Sequence, residues 1–589
     1  MPGGARIRRL RFLGPDSCHR VALCAGRNPA LLEEDDHAMS RTTSAPQPAP
    51  SDGPFAPLKN KVFRIIWLAG LVSGLGWLIQ TVAMSWLMAT ISDSSVMVAL
   101  VQAATSLPSF ILSIFAGAIV DNFNRRRIMI AARFFMASTA AVLTILVAFG
   151  EITPGIILVF SFLAGCGIAF NDPAWQASVG DIVDRRDLAA AVTLTSVGFN
   201  TVRSVGPALG GVILASFGPL TALALYTLGH VAPLIAIWRS KWTVSRPALP
   251  PEALLTAIAD GLRFTSLSAE IKAATARGIL FGIAGVATLA LLPLVVRDQL
   301  KLGAVTYGSL MAGFGAGALL AGLSSTRLRR KFSDEQMLRL ACLFCATCTL
   351  LLGLTSTALM AGLALMLGGA GWVLGWSGLG ISVQWASPRW VVGRTISIYY
   401  ALTFGGIAVG SWFWGLVTES SSVSQALFAS SAACIAVAAL GLVLPIHQRK
   451  DADVSTSSEI ETPAISLDLQ PRSGPIAVRI EYAIPEPATE AFLALMLQRR
   501  RCQARNGARR WTLTRDLHRP EIWTESFRLP TWNDYLRFNY RQTAADRTLD
   551  SDVQTLHRGE APPSPTLSIE RPTASPRKAT TFPPEPLRM

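Results

Sequence analysis

Charge is scarce in this chain: 15% of its 589 residues are Asp, Glu, Lys or Arg, against about 25% in ordinary soluble domains. A soluble protein of this length could not cover its surface with so little, so a purely soluble class is excluded. Acids are scarcer than bases, 38 against 53, and the formal net charge is +15. Cysteine offers no framework either. Cys18, Cys24, Cys166, Cys434 and Cys502 are scattered, and Cys342, Cys345 and Cys348 in "CLFCATC" stand inside an apolar run with no fourth Cys or His after them. A disulfide scaffold and a metal site are therefore set aside in favour of packing. No metal and no cofactor is expected.

Apolar residues are abundant: 51% are hydrophobic and the mean hydropathy is +0.40. A bilayer core takes about 20 apolar residues in a helix, and lipid cannot satisfy bare backbone groups, so each long run must be helical. Twelve spans are expected, near 62–91, 96–120, 128–149, 154–178, 188–217, 218–238, 276–296, 305–325, 336–356, 357–383, 392–419 and 421–446. The splits at "SFGPL" and "TSTALM" rest on very short turns. Basic residues fall on the even-numbered connections or the exit: Arg125 to Arg127, Arg185 and Arg186, Arg239, Lys241 and Arg246, "RLRRK" from Arg327, Arg389 and Arg394, and Arg449 and Lys450. Positively charged loops are retained in the cytoplasm, so both ends of the chain are expected there. Arg297 and Lys301 break the pattern. Because much of the basic charge anchors loops at an anionic membrane face, nucleic acid is not an expected partner.

A connection near 239–275 separates an N-terminal six-helix bundle, 55–238, from a C-terminal one, 276–447. Its segment "PEALLTAIADGLRFTSLSAEIKAA" has the spacing of an amphipathic helix on the cytoplasmic membrane surface. A polar linker, 448–473, leads to a soluble unit, 474–573. Its strand–helix–strand–strand–helix–strand order implies a small α+β ferredoxin-like domain. Residues 1–54 are expected to be a disordered extension, with Met39 a candidate start, and 574–589 a disordered Pro-rich end.

The residues joining spans 2 and 3 carry a pattern. Gly117, Asp121, Arg125 and Arg126 in "GAIVDNFNRRR" resemble the G-x-x-x-D-R-x-G-R-R signature of the major facilitator superfamily, with Asn122 and Asn124 where that family has Arg and Gly. A plain positive-inside anchor needs arginine but neither Gly117 nor Asp121. The expectation is a latch, with close helix approach at Gly117 and charge-assisted hydrogen bonds at Asp121. Thr326 stands in the acid's place in the second half, beside Arg329, Arg330 and Lys331, so a stronger latch is expected in the first. In span 5, Gly206, Pro207, Gly210 and Gly211 of "RSVGPALGG" are similar to the G-P-x-x-G-G core associated with exporters of that superfamily. Pro207 removes a backbone donor and the glycines allow close packing. Ordinary small-residue packing is the alternative.

Arg203 lies roughly 22 Å along span 5, near mid-membrane, where an arginine costs about 3 kcal/mol or more unless paired or wetted. Asp172, in "AFNDPAWQA", lies at a similar depth in span 4. A pair between Asp172 and Arg203 is expected, with Asn171, Gln176 and Asn200 nearby, as a substrate or coupling site; a purely structural ion pair is the alternative. Arg133, near a span end, is expected to snorkel. Span 1 has no acid to carry a proton.

From "FAPLKNKVFRIIWLAGLVSGLGWLIQ" through "VGPALGG" the chain is similar to the bacterial exporter branch that includes enterobactin exporters and transmembrane secretion effectors. The tail, "RIEYAIPEPATEAFLALM" to "WTESFRLPTWNDYLR", resembles the antibiotic-biosynthesis-monooxygenase-like domain. The resemblance implies an all-α polytopic membrane protein of the twelve-helix, 6+6 major facilitator fold. It also implies export of a small molecule (siderophore, drug or metabolite) across the inner membrane by alternating access, with protons as the driving ion. Polarity around Asp172 and Arg203 favours a polar or anionic ligand. Dimerisation through the tail is a further expectation. The rival reading makes the tail an oxidoreductase and the bundle its anchor, but only His518 stands out there, with no base or nucleophile beside it. A membrane sensor without flux is a third.

Overall fold

The computed structural model describes residues 53–242, 254–446 and 465–571 apart from Arg185 and Arg389, with backbone but no side chain at Ala118, Asp121, Asn122, Ala189, Asn200, Ser204 and Leu254. The expected extension at 1–54 lies almost wholly outside the described residues, as do most of the 448–473 linker and the 574–589 end. Contacts divide the chain into Met1–Pro50 and Ser51–Met589, and only the second is described.

The membrane part runs α1 (Lys61–Ile91), α2 (Ser95–Asn122), α3 (Arg125–Ala148), α4 (Pro154–Ile182), α5 (Leu188–Gly229) and α6 (Val231–Arg239). After α7 (Leu254–Leu267) come α8 (Ala269–Gly285), α9 (Ala287–Leu294), a π-helical turn at Val295–Gln299, α10 (Ala304–Lys331), α11 (Asp334–Leu354), α12 (Ala358–Trp385), α13 (Val392–Ser420) and α14 (Val423–Val443). Short polar residues start these helices by taking up free N–H groups. Asn60 accepts from Val62 and Phe63, Thr153 from Ile156, and Ser333 with Gln336 forms a capping box. Asn124, where the signature has Gly, caps α3 by accepting from the Arg127 N–H.

Among the described residues, eleven helical stretches are long and apolar enough to cross a bilayer, and one, Ala190–Arg239, holds 50 residues. At 1.5 Å per residue that is about 75 Å, more than two membrane thicknesses. The chain reverses within it at Gly218, where φ is 76° and ψ 174°, a conformation open to glycine and costly for other residues. α1 records the reversal. Gly206 and Gly210 lie against Leu78 and Val82, ascending together, whereas Tyr226 and Gly229 lie against Gly76 and Val72 in the opposite sense. The stretch therefore makes two spans, split at "SFGPL", which brings the described residues to twelve. α8, α9 and the π turn form one continuous crossing, Ala269–Gln299.

The halves meet along two seams. α2 and α13 run antiparallel, with Gly117 facing Ser397, Phe110 facing Gly405, and Ala99 facing Gly415; α5 meets α10 at Gly211 and Gly308. α7 does not lie free on a surface. Its stripe Ala257, Asp260, Phe264 and Thr265 is buried against α13, α2, α8 and the first helix of the tail.

The tail is β1 (Ile476–Ala483), α15 (Thr489–Asn506), β2 (Arg509–Arg515), β3 (Ile522–Leu529), α16 (Trp532–Arg541), α17 (Ala544–Leu556) and β4 (Thr566–Ile569). The sheet order is β2-β3-β1-β4, all antiparallel, as a ferredoxin-like sandwich requires. Alternation places Ile476, Val478, Ile480 and Tyr482 of β1 inward with Trp523 and Phe527 of β3, against Phe492, Met496 and Phe538. The second helix of the expected order is two, α16 and α17, because Thr543 and Asp546 form a capping box that starts α17 afresh.

Candidate functional site

On the arginine-rich face, Arg125 Nη1 donates to Asp181 Oδ2 (2.6 Å) and to the Ala177 carbonyl (3.1 Å), tying α3 to α4. Arg126 donates to the carbonyls of Ile237 (3.1 Å) and Trp238 (2.6 Å), the last turn of α6, where the helix dipole favours a cation. Asp181 was missed by sequence reasoning, although its place four residues from the Ala177 carbonyl on α4 could have suggested it. Gly117 packs so that an added Cβ would stand 3.0 Å from Ser397 Oγ across the seam. The Asp121 side chain lies outside the described residues.

In the second half, Arg329 pairs with Asp334 (3.2 Å). Arg277 and Arg339 both pair with Glu335, at 3.3 and 3.1 Å. Arg277 also reaches the Leu444 carbonyl, and Glu335 accepts from the Ile446 N–H. The acids absent at position 326 are thus supplied by α11.

The interior does not pair Asp172 with Arg203. Asp172 accepts from Asn171 Nδ2 at 3.0 Å and feels the charge of Arg133 on α3. Arg133 does not snorkel. Its Nη1 donates to Ser73 Oγ on α1 (2.6 Å), which meets His230 Nδ1 at 3.4 Å, and Tyr226 stands edge-on to His230 at 4.6 Å. Asp172, Gln176 and Gly180 form an exposed row at i, i+4 and i+8. Asp172 falls between the side where Trp175 stacks on Phe63 of α1 (6.1 Å) and the side where Gly165 meets Pro108 of α2. The Asn200 side chain lies outside the described residues.

Arg203 belongs to the seam between halves. At 100° per residue, Gly198, Val202, Gly206 and Gly210 form a row that meets α1, while Arg203, Pro207 and Gly211 form the next, meeting α10. Arg203 sits over the Phe314 ring at 6.0 Å, a cation–π contact. Gly211 and Gly308 touch backbone to backbone: a Cβ on Gly308 would stand 2.4 Å from Gly211 Cα and 2.9 Å from the Pro207 carbonyl. The exporter-like motif therefore divides, Gly206 and Gly210 for packing within a half and Pro207 and Gly211 for contact between halves.

On the face opposite the arginines the halves are fastened again. Arg297 reaches the carbonyls of Ala89 and Ser92 (the latter at 2.9 Å), at the end of α1. Glu419 accepts from Ser94 Oγ (2.9 Å) and the Val96 N–H (3.1 Å), at the start of α2. Each charge meets the helix end whose dipole it complements. Trp86 stacks on Tyr307 at 5.9 Å. The arginine that violates the loop-charge pattern is thus a bridge. A wall of rings fills the second half: Trp372 stacks on Trp376 (5.7 Å), and Trp376 meets Tyr400 and Phe404 at 6.2 and 5.5 Å. Nothing in the spacing of these aromatics had marked them apart from core packing.

In the tail, buried Glu525 accepts from Tyr482 (2.8 Å), Arg499 (2.8 Å) and Trp511 (2.7 Å), so its capacity is spent on structure. Burial pushes the Cys502 thiol up to about 11, leaving it protonated and unreactive at neutral pH. His518 is exposed in the β2–β3 turn, where its backbone N–H donates to Asp516 Oδ1.

Comparison with known proteins gives one family and consistent relatives. The chain is 24% identical over 407 residues to the multidrug efflux pump Tap of Mycolicibacterium fortuitum, covering 66% of this chain and 96% of that protein. It is 25% identical over 386 residues to the enterobactin exporter EntS of Escherichia coli, covering 63% and 89%. A match to the staphyloferrin A transporter of Staphylococcus aureus is 31% identical but spans 28% of this chain and 42% of that protein. In fold it resembles the crystal structure of an auto-inhibited POT family peptide transporter, with a TM-score of 0.54 and 12% identity over 66% of this chain and 97% of that one. These relatives are transporters, not enzymes. With residues 52–573 matching the family model described as transmembrane secretion effector, the chain belongs to that family of major facilitator transporters.

Proposed function

We propose that the protein is a secondary active exporter of a small organic molecule, of the siderophore or drug type, across the bacterial inner membrane. In this reading it is driven by protons and works by alternating access, with both termini and the arginine-rich face in the cytoplasm. The observation that carries the reading is the position of the bridges between halves. Arg297 and Glu419 join the two bundles on the face away from the basic loops through a few exchangeable hydrogen bonds, which rocking can break and remake. Asp172 and Gln176, on the exposed row of α4, with Asn171 and Asn200, are the proposed substrate or coupling groups. Arg203 acts at the seam, and Gly117, Asp121, Arg125 and Arg126 form the latch.

The tail is read as monooxygenase-like in fold alone. A dimer formed through it would use the outer face of its sheet, where Arg479, Glu481, Thr512 and Thr524 alternate with the core residues. The test is metabolite retention in deleted and complemented cells, with proton release from everted vesicles when exported compound is added. Retained compound that complementation clears, with a matching proton flux, is expected. Unchanged metabolite content, or clearance indifferent to uncouplers, overturns export or its coupling respectively.

A further inference from the structure

The docking of the tail on the membrane part assigns it a task. Two arginines, each near the end of a tail helix, straddle an aromatic pair of the bundle. Arg541 Nη2 pairs with Asp260 Oδ2 of α7 at 2.9 Å, with both side chains largely buried. Its guanidinium lies 4.2 Å from the centre of the Trp390 ring, in the connection between α12 and α13. It is oriented from behind by the Asn506 carbonyl at 3.2 Å. Arg505, held by Asp546 at 2.9 Å, lies over Phe264 of α7 at 5.2 Å. Phe264 and Trp390 themselves meet edge to face at 5.5 Å. The tail thus grips two separate pieces of the bundle, α7 and the loop entering α13, and holds them to each other.

The place of this grip matters. α7 packs on the first turns of α13, where a Cβ on Gly261 would stand 3.0 Å from Arg394 Cβ and 3.4 Å from Ile398. It also touches α2, and α2 meets α13 at Gly117 and Ser397 on the same face. α7 therefore sits where the two halves join at the arginine-rich end, the joint that any rocking motion must alter. A small interface of ion pairs and cation–π contacts is a reversible fastening, unlike a broad apolar one. Withdrawal of the tail would leave Asp260 with Arg263 alone, at 3.5 Å, and would open Trp390 to water.

We propose that the C-terminal domain is a clasp on this joint: through Arg541 and Arg505 it holds α7 against the α13 entrance and restrains the halves in the present arrangement, and its release lets them move. The proposal rests on the alternating-access reading. Full-length protein in lipid discs, spin-labelled in pairs, tests it without a known substrate. One pair, Leu255→Cys with Leu517→Cys, reports tail position; the other, Phe123→Cys with Leu323→Cys, reports the separation of the halves. Arg541→Glu and Asp260→Arg should each shift the first distance distribution to longer values and broaden the second. The milder Arg505→Gln should do the same to a smaller degree, and the Asp260→Arg/Arg541→Glu double reversal should restore both distributions. A displaced tail with an unaltered inter-half distribution overturns the clasp and leaves alternating access standing. A double reversal that fails to restore the tail while its parents are folded also overturns it. An inter-half distribution that stays single and fixed in every variant and across a pH range from acid to neutral overturns both.

Discussion

In the first half-bundle the arginine-rich face is held by Arg125 on Asp181, with the arginine side chain 22% exposed. In the second it is held by Arg277, Glu335 and Arg339, with the Arg277 side chain 2% exposed. The first half matches the superfamily signature more fully and the second hardly matches it, yet the second holds the more deeply buried arginine. A motif reports which residues stand where; it does not report how firmly a face is fastened, because acids from another helix can take over. Both halves also use carbonyls at a helix end, Arg126 those of Ile237 and Trp238 in α6 and Arg277 and Arg339 those of Leu444 and Gly441 at the end of α14, partners that no pattern of side chains displays.

The comparison can be broken most severely at Glu335. Glu335→Ala strands a buried arginine and should destabilise the protein by about 3–5 kcal/mol, read by denaturant unfolding in detergent, whereas Asp181→Asn, beside a partly hydrated arginine, should cost about 1 kcal/mol. Equal costs would mean that burial does not distinguish the halves. Next in size is the contact between them. Gly308→Leu forces a side chain into the Gly211 backbone, an overpacking of about 1–3 kcal/mol, and should cut transport about tenfold or more. Gly322→Ala, with open space around it, should leave transport unchanged. A smaller effect is expected for Arg297→Gln: several-fold faster labelling of an engineered Trp86→Cys by a membrane-impermeant reagent added outside, because the bridge to Ala89 and Ser92 is lost. Smallest is Thr326→Asp, which completes the acid position of the second half. With Arg329 already served by Asp334, it should move stability by no more than about 0.5 kcal/mol. A large gain would restore the signature as the measure of latch strength.

Much of the fold was legible because lipid and backbone leave little choice. Apolar runs of span length, basic residues on alternate connections and the Gly-Pro at 218–219 each follow from local chemistry, and so does the strand–helix alternation of the tail. The site was legible in part. Gly211 was marked as a close-packing residue, but that it meets α10, and not α1 as Gly206 does, depends on a 100° rotation between neighbouring positions and on where two helices cross. Arg203 and Asp172 share a depth, and depth is all that rise per residue supplies. Their azimuths send one to the Phe314 ring and the other towards Arg133 and Asn171. Arg133 was misread for the same reason: distance from a helix end was known, and the Ser73 hydroxyl facing it was not.

What the amino-acid order by itself determined here is therefore one-dimensional: which segments enter the membrane, which connections carry the basic charge, and which residues are small enough for helices to touch. What the tertiary structure alone decided is which partner each charge finds, Asp181 for Arg125, the carbonyls of α1 for Arg297, Asp260 and Trp390 for Arg541. The reason is physical. Hydropathy and helix rise act along a segment and can be summed from its residues, whereas an ion pair or a cation–π contact needs a few ångströms of approach between segments far apart in the chain, and only the packing of the whole bundle sets that distance.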